Sequence, residues 1–252
     1  EESLLELCGV PSEMIDETVA LLAEKNKIII CWAMGLTQHK NGVDNIKECV
    51  NLLLLKGSIG RKGAGTCPVR GHSNVQGDRS VGIMHHVSKP LNSALKKVFG
   101  FDAPEKEGLD TVHCIKAMHQ GKAKVFIALG GNFVSAASDT NYTAKALQNC
   151  NLTVSIATKL NRGHLITGKT ALILPTLGRT ELDENKGQKR FVTVENSMGK
   201  VHQSAGGRQP ISTALKSEPS IVAEMANAYF KGGHSVNWMA LGDNYELIRD
   251  KI

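Results

Sequence analysis

The stretch I-I-I-C-W-A, residues 28–33, decides how this chain folds. It is short, continuously apolar and rich in β-branched side chains, the mark of a strand buried in a parallel sheet. Before it, Pro11-Ser12 opens an amphipathic helix to about Lys25, with Met14, Ile15, Val19, Leu22 and Ala23 on one face. After it come a polar loop, 34–42, and a second helix, 44–56, that turns Ile46, Cys49, Val50, Leu53 and Leu54 inward. The rhythm then repeats. A helix over 109–119 stops at Gly121, a strand over 125–129 runs into Gly130-Gly131-Asn132, and Ser138 or Asp139 caps a helix to about Gln148. Strands follow at 152–157 and 171–174, the last closed by Pro175. Such alternation predicts an α/β fold, a doubly wound parallel sheet of βαβ units. Ligands of such sheets bind at the C-terminal ends of the strands, where loops 34–42, 130–138 and 158–163 lie. From Glu181 the pattern changes. Runs 191–194 and 200–203 flank N-S-M-G as a β-hairpin extension, and Pro219 starts a helix through Phe230.

The run Gly60 to Gly77, G-R-K-G-A-G-T-C-P-V-R-G-H-S-N-V-Q-G, carries the chemistry. It holds five glycines and three fixed cations, Arg61, Lys62 and Arg70, in 18 residues, and no apolar period runs through it. It reads as a long loop, and long loops in compact domains are usually functional or disordered. The glycines admit close backbone approach. Arginine supplies a planar fork for carboxylate or phosphate. Asn74 and Gln76 carry both donor and acceptor groups, suited to the edge of a purine or pterin ring.

Composition bounds the rest. The chain has 252 residues, 41% of them apolar, enough for one large domain or two ordinary ones. Aromatics are only 4%, which disfavours stacking platforms for nucleic acid. The net charge of +6 is spread rather than gathered in an arm, so it suits an anionic ligand and not a nucleic-acid partner. The six cysteines show no C-x-x-C, so no local metal or cluster site is expected. Cys31 and Cys150 sit by apolar runs and read as core thiols. This usage points to a reducing, cytoplasmic setting. No apolar run reaches 18 residues, so membrane insertion is not expected. The chain opens on Glu1, which suggests a piece of something longer.

Residues 163–170, G-H-L-I-T-G-K-T, match the phosphate-binding pattern G-x-x-x-x-G-K-[ST]. That chemistry requires a helix to begin at the lysine. Here A-L-I-L-P follows, which reads as a strand, and proline stops a helix. Glu181, Asp183 and Glu184 read as a solvated turn. A P-loop nucleotide hydrolase and a non-catalytic anion- or dinucleotide-binding module therefore stand as alternatives to an enzyme of another kind.

Several segments together resemble one family. They are W-A-M-G-L-T-Q-H-K-N-G-V-D-N (32–45), L-L-K-G-S-I-G-R-K-G-A-G (54–65) and C-P-V-R-G-H-S-N-V-Q-G (67–77). Weaker echoes are A-L-G-G-N-F (128–133), A-L-I-L-P-T (171–176) and E-N-S-M-G-K-V-H (195–202). The chain is similar to the molybdopterin oxidoreductases that carry a bis-(molybdopterin guanine dinucleotide) molybdenum cofactor, nearest to formate-dehydrogenase-like alpha subunits. The resemblance implies two-electron redox of a small substrate. It implies that Gly35, Thr37 and Gln38 lie against a pterin dinucleotide. Arg70 would sit beside molybdenum and orient an anionic substrate, with His72 also in the catalytic set. Gly71, Asn74, Gln76 and Gly77 would line the cofactor, and Gly130, Gly131 and Asn132 its nucleotide end. No metal ligand is expected in this chain. The family's metal ligand, a 4Fe-4S segment in many members and a C-terminal β-barrel cap would lie in missing N- and C-terminal parts of the same chain. Residues 1–72 would be the tail of one dinucleotide-fold domain and 73–180 a second. Residues 181–210 would be a hairpin extension, and 211–252 a helical segment leading to a C-terminal domain. E-L-D-E-N-K-G-Q-K-R (181–190) departs from the family, where many members have a shorter link.

Overall fold

Two separate parallel sheets organise the chain, one in each of its two units, Glu1–Ser73 and Asn74–Ile252. The computed structural model describes residues 2–196 and 198–252. In the first unit, helices α1 (Glu2–Cys8) and α2 (Ser12–Glu24) precede strand β1 (Ile29–Trp32). The single turn α3 (Met34–Thr37), helix α4 (Gly42–Leu55) and strand β2 (Gly65–Pro68) follow. β1 and β2 are parallel, Ile29 opposite Gly65 and Trp32 opposite Pro68. A parallel pair needs a crossover, and α4 supplies it. Leu53 of α4 is fully buried. The buried Ser58 hydroxyl accepts from Ile28 N–H at 3.3 Å, tying the helix exit to the strand entry. Gly42 starts α4 where a Cβ would lie 2.4 Å from the Thr37 carbonyl oxygen, so only glycine lets the helix begin against α3.

Three expectations are corrected in this unit. Residues 34–42 are not all loop, since 34–37 form α3. The run 60–77 is not structureless either: 65–68 form β2, whose partner strand lies over 30 residues away and leaves no local period. Cys31 is exposed and Leu54 is 57% exposed, because a two-stranded sheet is too narrow to cover both.

The second unit opens with α5 (Val75–Ser80), α6 (Lys89–Phe99) and α7 (Thr111–His119). Then come β3 (Val125–Leu129), the turn α8 (Phe133–Ala136), α9 (Thr140–Gln148), β4 (Leu152–Ala157) and β5 (Thr170–Pro175). Asp110 and Asp139 cap α7 and α9, accepting from His113 and Tyr142 N–H at 2.8 and 2.9 Å. The sheet order is β3-β4-β5, all parallel. Side chains alternate across it, and helices lie on both faces. On one face Phe126 packs with Ile115 and Met118 of α7, Ala146 of α9 and Cys150. On the other, Val154 and Ile156 pack against Ile221 and Met225 of a later helix. The fold is α/β and doubly wound. The covering is offset, however. That later helix packs on β4 and on Leu174 of β5 but leaves Val125, Ile127 and Leu129 of edge strand β3 at 52%, 55% and 56% exposure.

Two antiparallel hairpins follow, β6 (Glu184–Asn185) with β7 (Gln188–Lys189), and β8 (Val192–Glu195) with β9 (Val201–Ser204). Lys186 and Gly187 turn the first with φ of 51° and 79°, the twist a two-residue hairpin needs. The second is the expected extension. Of its N-S-M-G turn, Ser197 lies outside the described residues. Asn196 Oδ1 accepts from Met198 and Lys200 N–H at 2.9 and 3.1 Å. Helices α10 (Glu218–Phe230), α11 (Trp238–Asp243) and α12 (Glu246–Arg249) close the chain. Among the described residues no helix is long and apolar enough to cross a membrane.

Candidate functional site

Parallel strands end on one edge, so the loops that leave β1 and β2 emerge side by side. Pairing continues one step past the strands, with Val69 N–H donating to the Trp32 carbonyl at 2.7 Å. Gly35, Thr37 and Gln38 lie on and just after α3, and Arg70, Gly71 and His72 follow β2. The two segments meet. Met34 Cε lies 3.7 Å from the position a Cβ would take at Gly71. The α3 turn is braced from within, by Gln38 N–H on the Met34 carbonyl at 2.9 Å and by a 2.7 Å bond between His39 Nε2 and the Gly35 carbonyl. Arg70 is half-buried, and its Nη1 donates to the Ser73 carbonyl at 3.4 Å. His72 is exposed.

A second set gathers on the C-terminal edge of the three-stranded sheet. Gly130 and Gly131 follow β3 with φ of 67° and 74°, in the region that favours glycine. Gly130 N–H donates to the Ile156 carbonyl at 2.8 Å. Asn161, beyond β4, donates from Nδ2 to the Gly131 carbonyl at 3.2 Å. A Cβ at Gly163 would stand 3.2 Å from Asn132 Oδ1. A cleft of about 30 Å³ is lined here by Gly130, Gly131, Asn132, Asn161 and Gly163. Sequence reasoning missed Asn161; its signal was its place in loop 158–163 at a strand end.

Asn74, Gln76 and Gly77 lie at the start of the second unit, on α5 and its N-terminal flank. The Asn74 and Gln76 side chains meet the β8–β9 hairpin. Asn74 Oδ1 accepts from Glu195 N–H at 2.9 Å, and Gln76 Nε2 donates to Glu195 Oε1 at 3.1 Å. Ser80 Oγ donates to Glu195 Oε2 at 2.8 Å.

The larger cavity of about 480 Å³ holds none of the expected site residues. Asp183 and Arg190 line it, with side chains only 17% and 12% exposed. Arg190 Nε donates to Asp183 Oδ1 at 3.0 Å, and Tyr245 Oη donates to Asp183 Oδ2 at 2.8 Å. Arg190 Nη1 reaches the Gly242 carbonyl at 2.7 Å, and Ser217 Oγ bonds Tyr245 Oη. Asp183 is therefore the centre of a buried network and not part of a solvated turn. Burial, with the Asp183 carboxylate behind it, pushes the Tyr245 phenol up to about 12.

The P-loop match is a packing motif. Lys169 stands at no helix N-terminus; Thr170 opens β5. A Cβ at Gly168 would lie 2.5 Å from the Cys150 carbonyl oxygen, and Lys169 N–H donates to that same oxygen at 3.0 Å. The glycine lets one backbone cross another, and the phosphate-binding N–H groups are already taken.

A family model described as molybdopterin oxidoreductase matches residues 3–214. The chain belongs to the molybdopterin oxidoreductases. Within that family an uncharacterized oxidoreductase of Mycobacterium tuberculosis is 48% identical over 251 residues, covering 100% of this chain and 32% of the relative. Protein YdeP of Escherichia coli K12 is 42% identical over 246 residues, covering 98% and 32%. YrhE of Bacillus subtilis, provisionally named a formate dehydrogenase, is 26% identical over 230 residues, covering 88% and 22%. The chain thus spans about a third of the length of the first two, 32% in each case. A molybdopterin oxidoreductase implies a molybdopterin cofactor, and the residues present fit one. Cβ positions at Gly35, Gly130 and Gly131 face open space with no heavy atom within 4 Å, as a cradle for a close-lying ligand requires.

Proposed function

We propose that these residues are the cofactor-cradling part of a longer, molybdenum-dependent oxidoreductase of formate-dehydrogenase type. The observation that carries this reading is the meeting of the M-G-L-T-Q turn and the R-G-H segment on one edge of the β1–β2 pair, the second segment bearing half-buried Arg70. In this reading Gly35, Thr37, Gln38 and Gly71 border a dinucleotide, Gly77 is a cofactor-binding position of the second unit, and Gly130, Gly131 and Asn132 border a nucleotide end. Arg70 orients a small anionic substrate, its fork suited to a carboxylate. His72 stands beside it, and Asn74 and Gln76 complete the loop. The cofactor is the guanine dinucleotide form and supplies the two-electron chemistry; the chain's own residues bind, orient and exclude. The metal ligand, any 4Fe-4S cluster and the remaining domains come from outside residues 1–252, and the whole works in the cytoplasm. Residues 1–72 and 73–180 serve as parts of two dinucleotide-fold domains. Residues 181–210 are a hairpin extension, and 211–252 lead to a further domain. The bare apolar face of β3 supports this, since such patches mark a covering partner.

The test is chemical analysis of the purified full-length parent. Molybdenum with two pterins and two guanine nucleotides per metal, and formate-dependent reduction of a viologen dye, are expected. A protein without molybdenum or pterin overturns the cofactor reading. Metal-loaded protein inert towards formate overturns the substrate alone.

A further inference from the structure

We propose that Glu195 is a positioning residue, a latch that holds α5 and the loop end Asn74–Gly77 to the β8–β9 hairpin. The inference rests on the reading of that loop as the cofactor loop. Three bonds converge on Glu195 from residues 115 to 121 positions away: its own N–H to Asn74 Oδ1, and its two carboxylate oxygens from Gln76 Nε2 and Ser80 Oγ. α5, which carries Gln76 and Ser80, is six residues long and has no buried residue. A single turn and a half without apolar burial does not hold itself in place in water. Its anchorage is this set of bonds, of which the two to the carboxylate are charge-assisted and stronger than neutral ones.

The sequence N-V-Q-G reads differently in this light. An asparagine at a helix N-cap ordinarily accepts from the first-turn N–H groups. Asn74 occupies that position but makes no such bond; its Oδ1 goes to Glu195 instead. A Cβ at Gly77 would lie 2.3 Å from Asn74 Oδ1, so glycine there leaves room for the side chain to turn to the hairpin. Asn74, Gln76, Gly77 and Ser80 are thus parts of one device, and Arg70 lies four residues ahead of its first member in the chain. Glu195 in turn ends β8, paired with Val201 of β9, so the latch borrows the stiffness of the hairpin.

The experiment uses the full-length parent carrying Glu195→Ala, Glu195→Gln, and the exchange Glu195→Gln with Gln76→Glu. Cofactor-free protein is treated with trypsin and cleavage after Arg70 and Arg79 is followed by mass spectrometry. Loaded protein is assayed for KM and kcat with formate, per molybdenum. Glu195→Ala is expected to speed cleavage after Arg79, on α5 itself, and raise KM about tenfold each, the scale of one lost charge-assisted bond. The exchange variant, which rebuilds an amide–carboxylate pair in reverse, is expected to recover to within about threefold of the parent. Unchanged cleavage and KM in Glu195→Ala overturn the proposal, as does an exchange variant no better than Glu195→Gln. If Glu195→Ala does not fold, the comparison of the exchange with Glu195→Gln still decides. If the parent proves to hold no molybdenum the cofactor reading fails, and if it ignores formate the substrate reading fails, while the cleavage arm continues to report on the latch.

Discussion

Arg70 and Lys169 are both cations among glycines, and the structure separates them. Arg70 emerges at the C-terminal end of a parallel strand, where ligands of such sheets bind. Lys169 leads into one, with its backbone bonded to Cys150. In the full-length parent, Arg70→Lys is expected to lower turnover per molybdenum while metal and pterin stay near normal, because a point charge does not replace a fork. Arg70→Ala should cost about 2–4 kcal/mol of transition-state stabilisation, the range for preorganised charge donors. Full activity per molybdenum in Arg70→Lys would remove Arg70 from the catalytic set. Loss of cofactor in step with activity would make it a cofactor holder. Gly168→Ala gives the opposite pattern. Its Cβ meets the Cys150 carbonyl oxygen at 2.5 Å, so a stability loss of about 1–3 kcal/mol is expected from the overpacking. Lys169→Ala should be near neutral in a thermal melt, and nucleotides should protect neither.

At the scale of elements, strands 125–129 and 152–157 were legible to the residue, because apolar, β-branched runs bounded by Gly and Asn admit few other readings. The cap of α9 was narrowed to Ser138 or Asp139, and Asp139 makes it. The β6–β7 hairpin was not legible, since its turn places Lys186 at φ 51°, a conformation lysine does not announce. β2 was hidden because G-T-C-P has no period and exists only by pairing with β1. α6 carried its signals, a Ser88 cap, Pro90 in the first turn and Gly100 at the end, but lay in a stretch dominated by the loop before it. Around the candidate site, the strand-end loops could be read from the sequence; the bonds of Glu195 to Gln76 and Ser80 could not, since those partners are 115 or more residues away. The network joining β6–β7 to α10 and α12 makes its own forecast. The Tyr245 phenol is pushed up to about 12 in the folded chain from about 10 in the unfolded chain. Protons are then held more tightly by the folded state, so this contribution is whole below about pH 10 and is lost as pH rises through about 12. Denaturant midpoints should fall across that window by on the order of 2 kcal/mol more in the parent than in Tyr245→Phe. Parallel curves for the two would contradict it.

On the scale of the whole molecule, the offset of the two helix layers in the second unit matters most. α7 and α9 shield one face, and α10 packs on the other against β4 and Leu174 of β5, which leaves Val125, Ile127 and Leu129 bare. In the full-length protein Ile127→Asp is expected to cost at least about 2 kcal/mol, the penalty for burying an unpaired charge. Amide exchange over 125–129 should be slow there. Rapid exchange and a neutral Ile127→Asp would show that nothing covers the strand. The same bareness bears on biogenesis. A ribosome delivers roughly 5–20 residues per second. If the cover is encoded upstream of residue 1, the sheet is sealed as it leaves the tunnel. If it is encoded downstream of residue 252, the nascent chain carries a sticky edge for seconds or longer, and a chaperone that recognises apolar strands becomes part of making this protein.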